Sequence, residues 1–180
     1  MHNAGMTPAI ESKRRRGLYS EEERARRDAS KWTLVQGILA PIQFVVFLVS
    51  LGLVIRYLIS GEGLVAAHVS IVIKTLLLYT IMITGSIWEK DVFGRYLFAP
   101  AFYWEDMVSM LVLALHTAYL IALATGWLGD TGQMVLALVA YLAYVINAAQ
   151  FLWKLRMARL EGQRSEASVP AGNAAMGVAK

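Results

Sequence analysis

Three carboxyl groups lie near the two ends of a short charged stretch, WEKDVFGRYLFAPAFYWEDM (residues 88–107), between long apolar runs. Glu89, Glu105 and Asp106 each lie within two residues of a tryptophan. A carboxyl group that keeps its proton can act as a general acid, and an ionised neighbour can act as a base or stabilise positive charge. The pattern predicts a catalytic site, with Glu105 as the proton donor and Glu89 or Asp106 as its partner. The alternative is that these groups are solvated charges at helix ends.

Ionisable and polar residues also lie inside the apolar runs, where they are costly and usually functional. His116 lies on the same helical face as Glu105, about 16 Å further along the helix axis. Lys74 lies about 12 Å inside its own run, so its side chain can reach the membrane surface only in part. We expect His116, Lys74 and Asn147 to contact a bound ligand. The alternatives are a histidine satisfied by a neighbour and a lysine that snorkels or forms an ion pair.

Each apolar run carries one polar stripe at helical spacing. Lipid cannot satisfy polar side chains, so the stripes are expected to face one another or a cavity inside a bundle. For the uncharged members, hydrogen bonding from helix to helix is the alternative. The stripes are Gln36, Gln43, Ser50 and Tyr57; His68, Thr75, Tyr79 and Ser86; Glu105, Ser109, His116 and Tyr119; and Gln133, Tyr144, Asn147 and Lys154.

Several familiar kinds of site are missing from the sequence. The chain has no cysteine, which excludes disulfides, thiolate nucleophiles and cysteine-ligated metal sites. It has no Glu-x-x-His pair, no two histidines four residues apart and no glycine-rich phosphate loop. We therefore predict no cofactor, no metal of the protein's own, and chemistry without electron transfer.

The elements that must position these residues are membrane helices. Of the 180 residues, 57% are hydrophobic, which is more than a soluble domain of this size usually contains. A membrane span needs about 20 mostly apolar residues. Four segments qualify, over about 32–59, 64–87, 104–125 and 133–155. The sequence therefore predicts an all-α polytopic membrane protein, a bundle of four transmembrane helices over residues 32–157.

Positive charges set the predicted orientation. Lysine and arginine are concentrated before the first span, between the second and third spans and after the fourth, and the other two connections have none. Both termini and the middle connection are therefore predicted to be cytoplasmic. Residues 1–31 are predicted to be a cytoplasmic segment with a short interfacial helix, because Ser20 and Glu23 have capping-box spacing. Residues 158–180 have no apolar period and are predicted to be a disordered cytoplasmic tail.

Three long stretches resemble one known family. The stretches are RRDASKWTLVQGILAPIQFVVFLVSLGLVIRYL (26–58), IVIKTLLLYTIMITGSIWEKDVFGRYLFAPAFYWEDMVSMLVLALHTAYL (71–120) and AYVINAAQFLWKLR (143–156). They resemble the 3-vinyl bacteriochlorophyllide hydratase family, also called 2-vinyl bacteriochlorophyllide hydratase, over roughly residues 19–160. The resemblance implies an enzyme of phototrophic bacteria that adds water to the C3 vinyl group of chlorophyllide a or 3-vinyl bacteriochlorophyllide a. The 3-(1-hydroxyethyl) product would lie on the way to bacteriochlorophyll a.

This chemistry requires an acid and a base but no cofactor. Protonation of the terminal vinyl carbon leaves a cation next to the macrocycle, and water then adds to that cation. The carboxyl groups above fit these roles, although the resemblance itself supplies no catalytic residues. His116 or His68 is expected to approach the magnesium of the substrate as an axial ligand.

The expected partners follow from the same resemblance. Trp88 and Trp104 would flank the flat macrocycle, and Lys90 or Arg95 would bind its free propionate. The lipid bilayer, other enzymes of bacteriochlorophyll synthesis and a second copy of the chain are further expected partners, and nucleic acid is not. The implied location is a bacterial inner membrane, cytoplasmic or intracytoplasmic and photosynthetic, with several passes.

Two other functions compete with the hydratase interpretation. A non-enzymatic membrane scaffold or chaperone for tetrapyrrole pigments would use the same cavity and histidine, and would bind pigment without changing it. A small transporter would need paired charges along a path through the bilayer. The acids cluster on one side instead, which counts against transport.

Overall fold

The computed structural model of the protein describes residues 18–167, with side chains as far as residue 160. Within that range the chain forms five helices and no strand: α1 (Glu21–Ala29), α2 (Lys31–Ser60), α3 (Leu64–Phe93), α4 (Tyr103–Thr125) and α5 (Asp130–Ala167). Helices α2 to α5 are long and apolar enough to cross a membrane. The predicted all-α class and its four apolar helices are confirmed, and these helices are those of a multi-pass membrane protein.

Local sequence signals explain where the helices begin and end. The predicted capping box is present at α1, where the Glu23 amide donates to the Ser20 hydroxyl at 3.2 Å and the Ser20 amide donates to the Glu23 carboxylate at 2.7 Å. The Ser30 hydroxyl caps α2 by accepting from the Trp32 amide at 3.3 Å. Glycines in the left-handed conformation end α2, α3 and α4, in that order Gly61, Gly94 and Gly126.

The four long helices pack as two antiparallel pairs, α2 with α3 and α4 with α5. Smaller contacts of α2 with α5 and of α3 with α4 join the pairs. The outer faces expose large apolar side chains along their length, among them Leu48, Ile83, Leu111 and Leu142. Such faces suit lipid rather than water. The core between the pairs is apolar and aromatic and includes Phe47, Val54, Ile71, Leu78, Val112, Tyr119, Met134, Tyr141 and Tyr144.

The second apolar helix is longer than predicted. Helix α3 continues to Phe93, whereas the predicted span ended near residue 87. The charged residues after Trp88 suggested a loop, but no glycine or proline lies between Trp88 and Gly94. Glu89 therefore lies on a helix, and the connection to α4 is confined to residues 94–102.

The last helix also differs from the prediction. Helix α5 begins at Asp130 and continues to Ala167, whereas the predicted span covered 133–155. Residues 158–167 are therefore helical and do not belong to a disordered tail, because this segment contains good helix formers and no proline. Residues 168–180 of the predicted tail and residues 1–17 of the predicted N-terminal segment lie outside the described residues. The cytoplasmic orientation of the termini stays a prediction.

Candidate active site

The three predicted carboxylates lie together at the end of the bundle where α3 leaves it and α4 enters. Glu89 is in the last turns of α3, and Glu105 and Asp106 are in the first turn of α4. Their exposed fractions are only 5%, 8% and 3%, respectively. These three carboxyl groups are therefore buried in the structure. They are not the solvated charges at helix ends that the sequence offered as an alternative.

Glu89 and Asp106 form a carboxyl pair. Both side chains are buried, and the two carboxyl groups interact with each other. Burial and the repulsion of like charges both disfavour two ionised carboxylates side by side. The pair is therefore a candidate to share a single proton.

The loop between α3 and α4 is shaped around this pair. The Phe98 amide donates to Asp106 Oδ2 at 2.7 Å, and the Ala99 amide donates to Glu89 Oε2 at 3.3 Å. Phe98 has a φ of 59°, the only positive φ of a non-glycine residue in the described part of the chain. A conformation of this kind costs about 1–3 kcal/mol and is concentrated at functional sites. Here it turns two successive amides toward the two carboxyl groups.

Glu105 has a different partner from its neighbour Asp106. Its Oε2 accepts from Lys154 Nζ at 2.6 Å, and the two side chains are 11% and 24% exposed. Adjacent residues on a helix point about 100° apart, so Asp106 faces α3 while Glu105 faces α5. The site thus contains one pair of neighbouring carboxyl groups and, beside it, one carboxylate held in an ion pair.

A groove opens beside the ion pair. It has a volume of about 280 Å³, and Glu105 and Lys154 contribute its polar wall. Its other walls are Leu18, Trp153, Met157 and Ala158. An apolar ligand that arrives along the membrane surface would meet the Glu105 carboxylate in this groove.

Lys74 and His116 lie deeper in the bundle and bind each other. Both side chains are fully buried, and Lys74 Nζ lies 2.9 Å from His116 Nε2. The Lys74 ammonium nitrogen also lies over the ring of Tyr144, 4.1 Å from its centroid. This arrangement fits the alternative in which His116 is a buried histidine that bonds a neighbouring side chain. The two alternatives for Lys74 do not fit, because its side chain does not reach the membrane surface and forms no ion pair with a carboxylate of the described residues.

The predicted histidine ligands lie far from the acids. His116 uses both ring nitrogens, since its Nδ1 also bonds the Val112 carbonyl at 2.8 Å. His68 lies further away, with its Nδ1 2.6 Å from the Tyr119 hydroxyl. His116 is about 16 Å from Glu105 along α4, which is longer than the reach from the centre of one tetrapyrrole to a vinyl group at its edge. Both histidines are thus engaged with protein groups, and magnesium ligation by either of them stays a prediction.

The predicted substrate-flanking residues are separated from one another. Trp88 packs edge-on against Phe93 and Phe102, in a closed aromatic cluster, and its indole nitrogen donates to Thr33 Oγ1 at 2.9 Å. Trp104 is 72% exposed on the outer face, and Arg95 is exposed on the loop. These residues do not form one slot for a macrocycle. Exposed Trp104 fits an aromatic belt at the membrane surface.

Two residues near the acids received no role in the sequence prediction. Lys154 belonged to the fourth polar stripe but was interpreted as a charge that sets orientation. Ser109 lies one turn below Glu105, and Asn147, a predicted ligand residue, donates to its hydroxyl at 2.7 Å. The polar stripes indicated these contacts, because Lys154 and Asn147 belong to the same stripe and share one face of α5.

Comparisons with known proteins agree with the family that the sequence resembles. A family model for 2-vinyl bacteriochlorophyllide hydratase matches residues 19–157. A 2-vinyl bacteriochlorophyllide hydratase from Cereibacter sphaeroides is 65% identical over 161 residues, which cover 89% of this chain and 100% of the relative. A protein of the same name from Rhodobacter capsulatus is 67% identical over 153 residues, which cover 85% and 89% of the two chains. No solved structure gives a significant match.

Proposed function

This chain belongs to the 2-vinyl bacteriochlorophyllide hydratase family, and we propose that its buried carboxyl cluster performs the hydration. The protein is a hydratase, a hydro-lyase that adds water to a vinyl group in bacteriochlorophyll biosynthesis. The observation that supports this site is the pairing of its carboxyl groups. The buried Glu89–Asp106 pair, which we propose shares one proton, lies beside the Glu105 carboxylate, which is bound to Lys154.

The contacts support a division of roles that differs from the sequence prediction. Glu105 was the predicted proton donor, but its ion pair with Lys154 suits a carboxylate. The shared proton of Glu89 and Asp106 is the better candidate for transfer to the terminal vinyl carbon. Glu105 would then stabilise the cation that forms next to the macrocycle and accept the proton that the added water releases.

The groove supports a mode of substrate entry. Trp153, Met157 and Leu18 give it apolar walls next to the Glu105 carboxylate. A chlorin lying at the membrane surface could place its vinyl-bearing edge in this groove and keep the rest of the ring in lipid. We propose chlorophyllide a or 3-vinyl bacteriochlorophyllide a as the substrate. Asp106 adjoins Glu105 on α4, and in this proposal both proton transfers occur at the same end of the bundle.

The proposed membrane and orientation rest on charge. Lysine and arginine are concentrated at the end of the bundle that holds the acids, which favours the cytoplasmic side of a bacterial inner membrane. The substrate would then enter from the cytoplasmic leaflet. Association with other enzymes of the pathway or with a second copy of the chain belongs to the same proposal.

Incubation of purified, detergent-solubilised protein with chlorophyllide a tests the function. Hydration takes the vinyl group out of conjugation, so the red absorption band should move to shorter wavelength, and the product should weigh one water more. In oxygen-18 water the label should appear in the new hydroxyl group. No nucleotide, flavin or added metal should be required. Stoichiometric binding that never changes the pigment's mass would favour the scaffold function instead.

A further inference from the structure

The side chain of Asn147 is buried just inside the acid cluster. It is 8% exposed, and its Nδ2 donates to Ser109 Oγ at 2.7 Å. The Ser109 hydroxyl in turn donates its single proton to the Glu105 backbone carbonyl at 2.9 Å. The amide atom that faces this hydroxyl must therefore be the donor, which fixes the orientation of the Asn147 amide. Its carbonyl oxygen, Oδ1, consequently points away from Ser109.

No residue in the described part of the chain donates to Asn147 Oδ1. The side chain of Gln43, 2% exposed on α2, likewise makes no hydrogen bond through its nitrogen or its oxygen to any of these residues. Ser50 and Tyr141 bond across the bundle, and Gln43 and Asn147 each lie about two turns closer to the acids on the antiparallel helices α2 and α5. The unpartnered oxygen of Asn147 and the unpartnered amide of Gln43 therefore lie at about the same depth.

Buried polar atoms of native proteins nearly always have a hydrogen-bond partner, and ordered water supplies it where protein does not. A carbonyl oxygen requires a donor, and an amide with both ends free requires a donor and an acceptor. Water meets both requirements, because it is both a donor and an acceptor. We propose that Asn147 and Gln43 hold water molecules inside the bundle, and that the water on Asn147 Oδ1 is the one added to the vinyl group.

This inference rests on the proposed function and adds the source of the water. A macrocycle in the groove would cover Glu105 from the membrane surface, so the nucleophile must come from the interior side. When that water adds, a C–O bond forms at the cationic carbon and one O–H bond breaks. The proton passes to the Glu105 carboxylate, and nothing is oxidised or reduced. Asn147 is thus a positioning residue for the water, not the acid or the base.

Deuterium exchange separates the water step from the proton step. In Asn147→Leu the acid pair can still protonate the vinyl group, but the resulting cation has no prepositioned water to react with. The cation then loses a proton from its terminal carbon and becomes the vinyl substrate again. In D₂O, the recovered vinyl substrate should therefore gain deuterium at its terminal carbon. Hydration should fall roughly 10-fold to 100-fold, as expected for the loss of one hydrogen bond to the reacting water. The Kd for chlorophyllide a should not change.

A second variant and a control complete the experiment. Gln43→Leu removes no protein hydrogen bond, so it should fold, and it should lower hydration while exchange continues. Gln133→Leu is the matched control, because Gln133 is 5% exposed and its Oε1 also lacks a partner among the described residues, but it lies at the other end of α5. The control should leave hydration and exchange unchanged.

The outcomes distinguish this inference from the function on which it rests. Normal hydration by Asn147→Leu, or equal loss of hydration and exchange, would overturn the positioning role. If Asn147→Leu does not fold, hydration and deuterium exchange are measured on Gln43→Leu instead, and the same outcomes apply. If wild-type protein neither hydrates nor exchanges the vinyl group, the proposed function itself fails.

Discussion

Asp106→Asn isolates the proton that the Glu89–Asp106 pair is proposed to transfer. Asparagine has nearly the same shape as aspartic acid. Its oxygen can accept from the Phe98 amide, which now lies 2.7 Å from Asp106 Oδ2, and its nitrogen can donate to Glu89. The substitution therefore keeps both contacts and removes only the acidic proton.

The expected loss in rate is large and the expected loss in stability small. Removing a general acid typically costs about 100-fold to 10,000-fold, which corresponds to roughly 3–5 kcal/mol in the activation barrier. Asp106→Leu is the contrasting variant, because it leaves the Phe98 amide without an acceptor. A buried donor without a partner costs about 1–3 kcal/mol of stability, so this variant should also have a lower Tm.

Single-turnover mixing with chlorophyllide a, followed by the red absorption band and by product mass, measures the rate. Quenching of tryptophan fluorescence measures the Kd, which should be unchanged in Asp106→Asn. Because the two carboxyl groups are proposed to share one proton, Glu89→Gln and the double variant should be only a few-fold slower than Asp106→Asn. Turnover of Asp106→Asn within about threefold of wild type would refute the donor role, and multiplicative losses in the double variant would refute a shared proton.

Other substitutions address the base, the buried histidine and the orientation. Glu105→Gln should slow hydration roughly 100-fold or more while chlorophyllide a still binds. Lys154→Met is the control for Glu105→Gln. An equal loss of hydration rate in Lys154→Met would indicate that Glu105 acts only through its ion pair with Lys154. His116→Leu should weaken binding of magnesium and metal-free chlorins alike, because both ring nitrogens bond within the protein; a loss confined to magnesium chlorins would indicate ligation. Cysteines introduced at Gly61 and Gly129 should label from outside intact cells, and labelling only after permeabilisation would overturn the orientation.

The sequence predicts the helices well because their signals are local. A long apolar run specifies a membrane helix, and a glycine in the left-handed conformation specifies its end, as at Gly61 and Gly126. The predicted end of α3 was wrong, because hydropathy alone suggests a loop at charged residues such as Glu89. The partners that satisfy Glu89 belong to the following loop and to α4, and no local pattern reveals them.

The candidate site was predictable only in part for the same reason. The clustering of Glu89, Glu105 and Asp106 follows from the antiparallel course of α3 and α4. Pairing Glu105 with Lys154 requires the register of α5 against α4, which the sequence does not specify. The conformation of Phe98 is also hidden, because a positive φ is expected at glycine or asparagine and not at a phenylalanine.

Hydration of an alkene consumes one proton and releases another, so its catalyst needs a protonated and an ionised group at the same time. In the proposed mechanism, Glu105 and Asp106 meet this need from adjacent positions at the start of α4. Their directions differ by about 100°, so Asp106 faces a second carboxyl group, with which it would share a proton, while Glu105 faces an ammonium group. After each turnover the proton would lie on Glu105 and be missing from the pair. Transfer between these neighbouring residues would then restore the starting state for the next turnover.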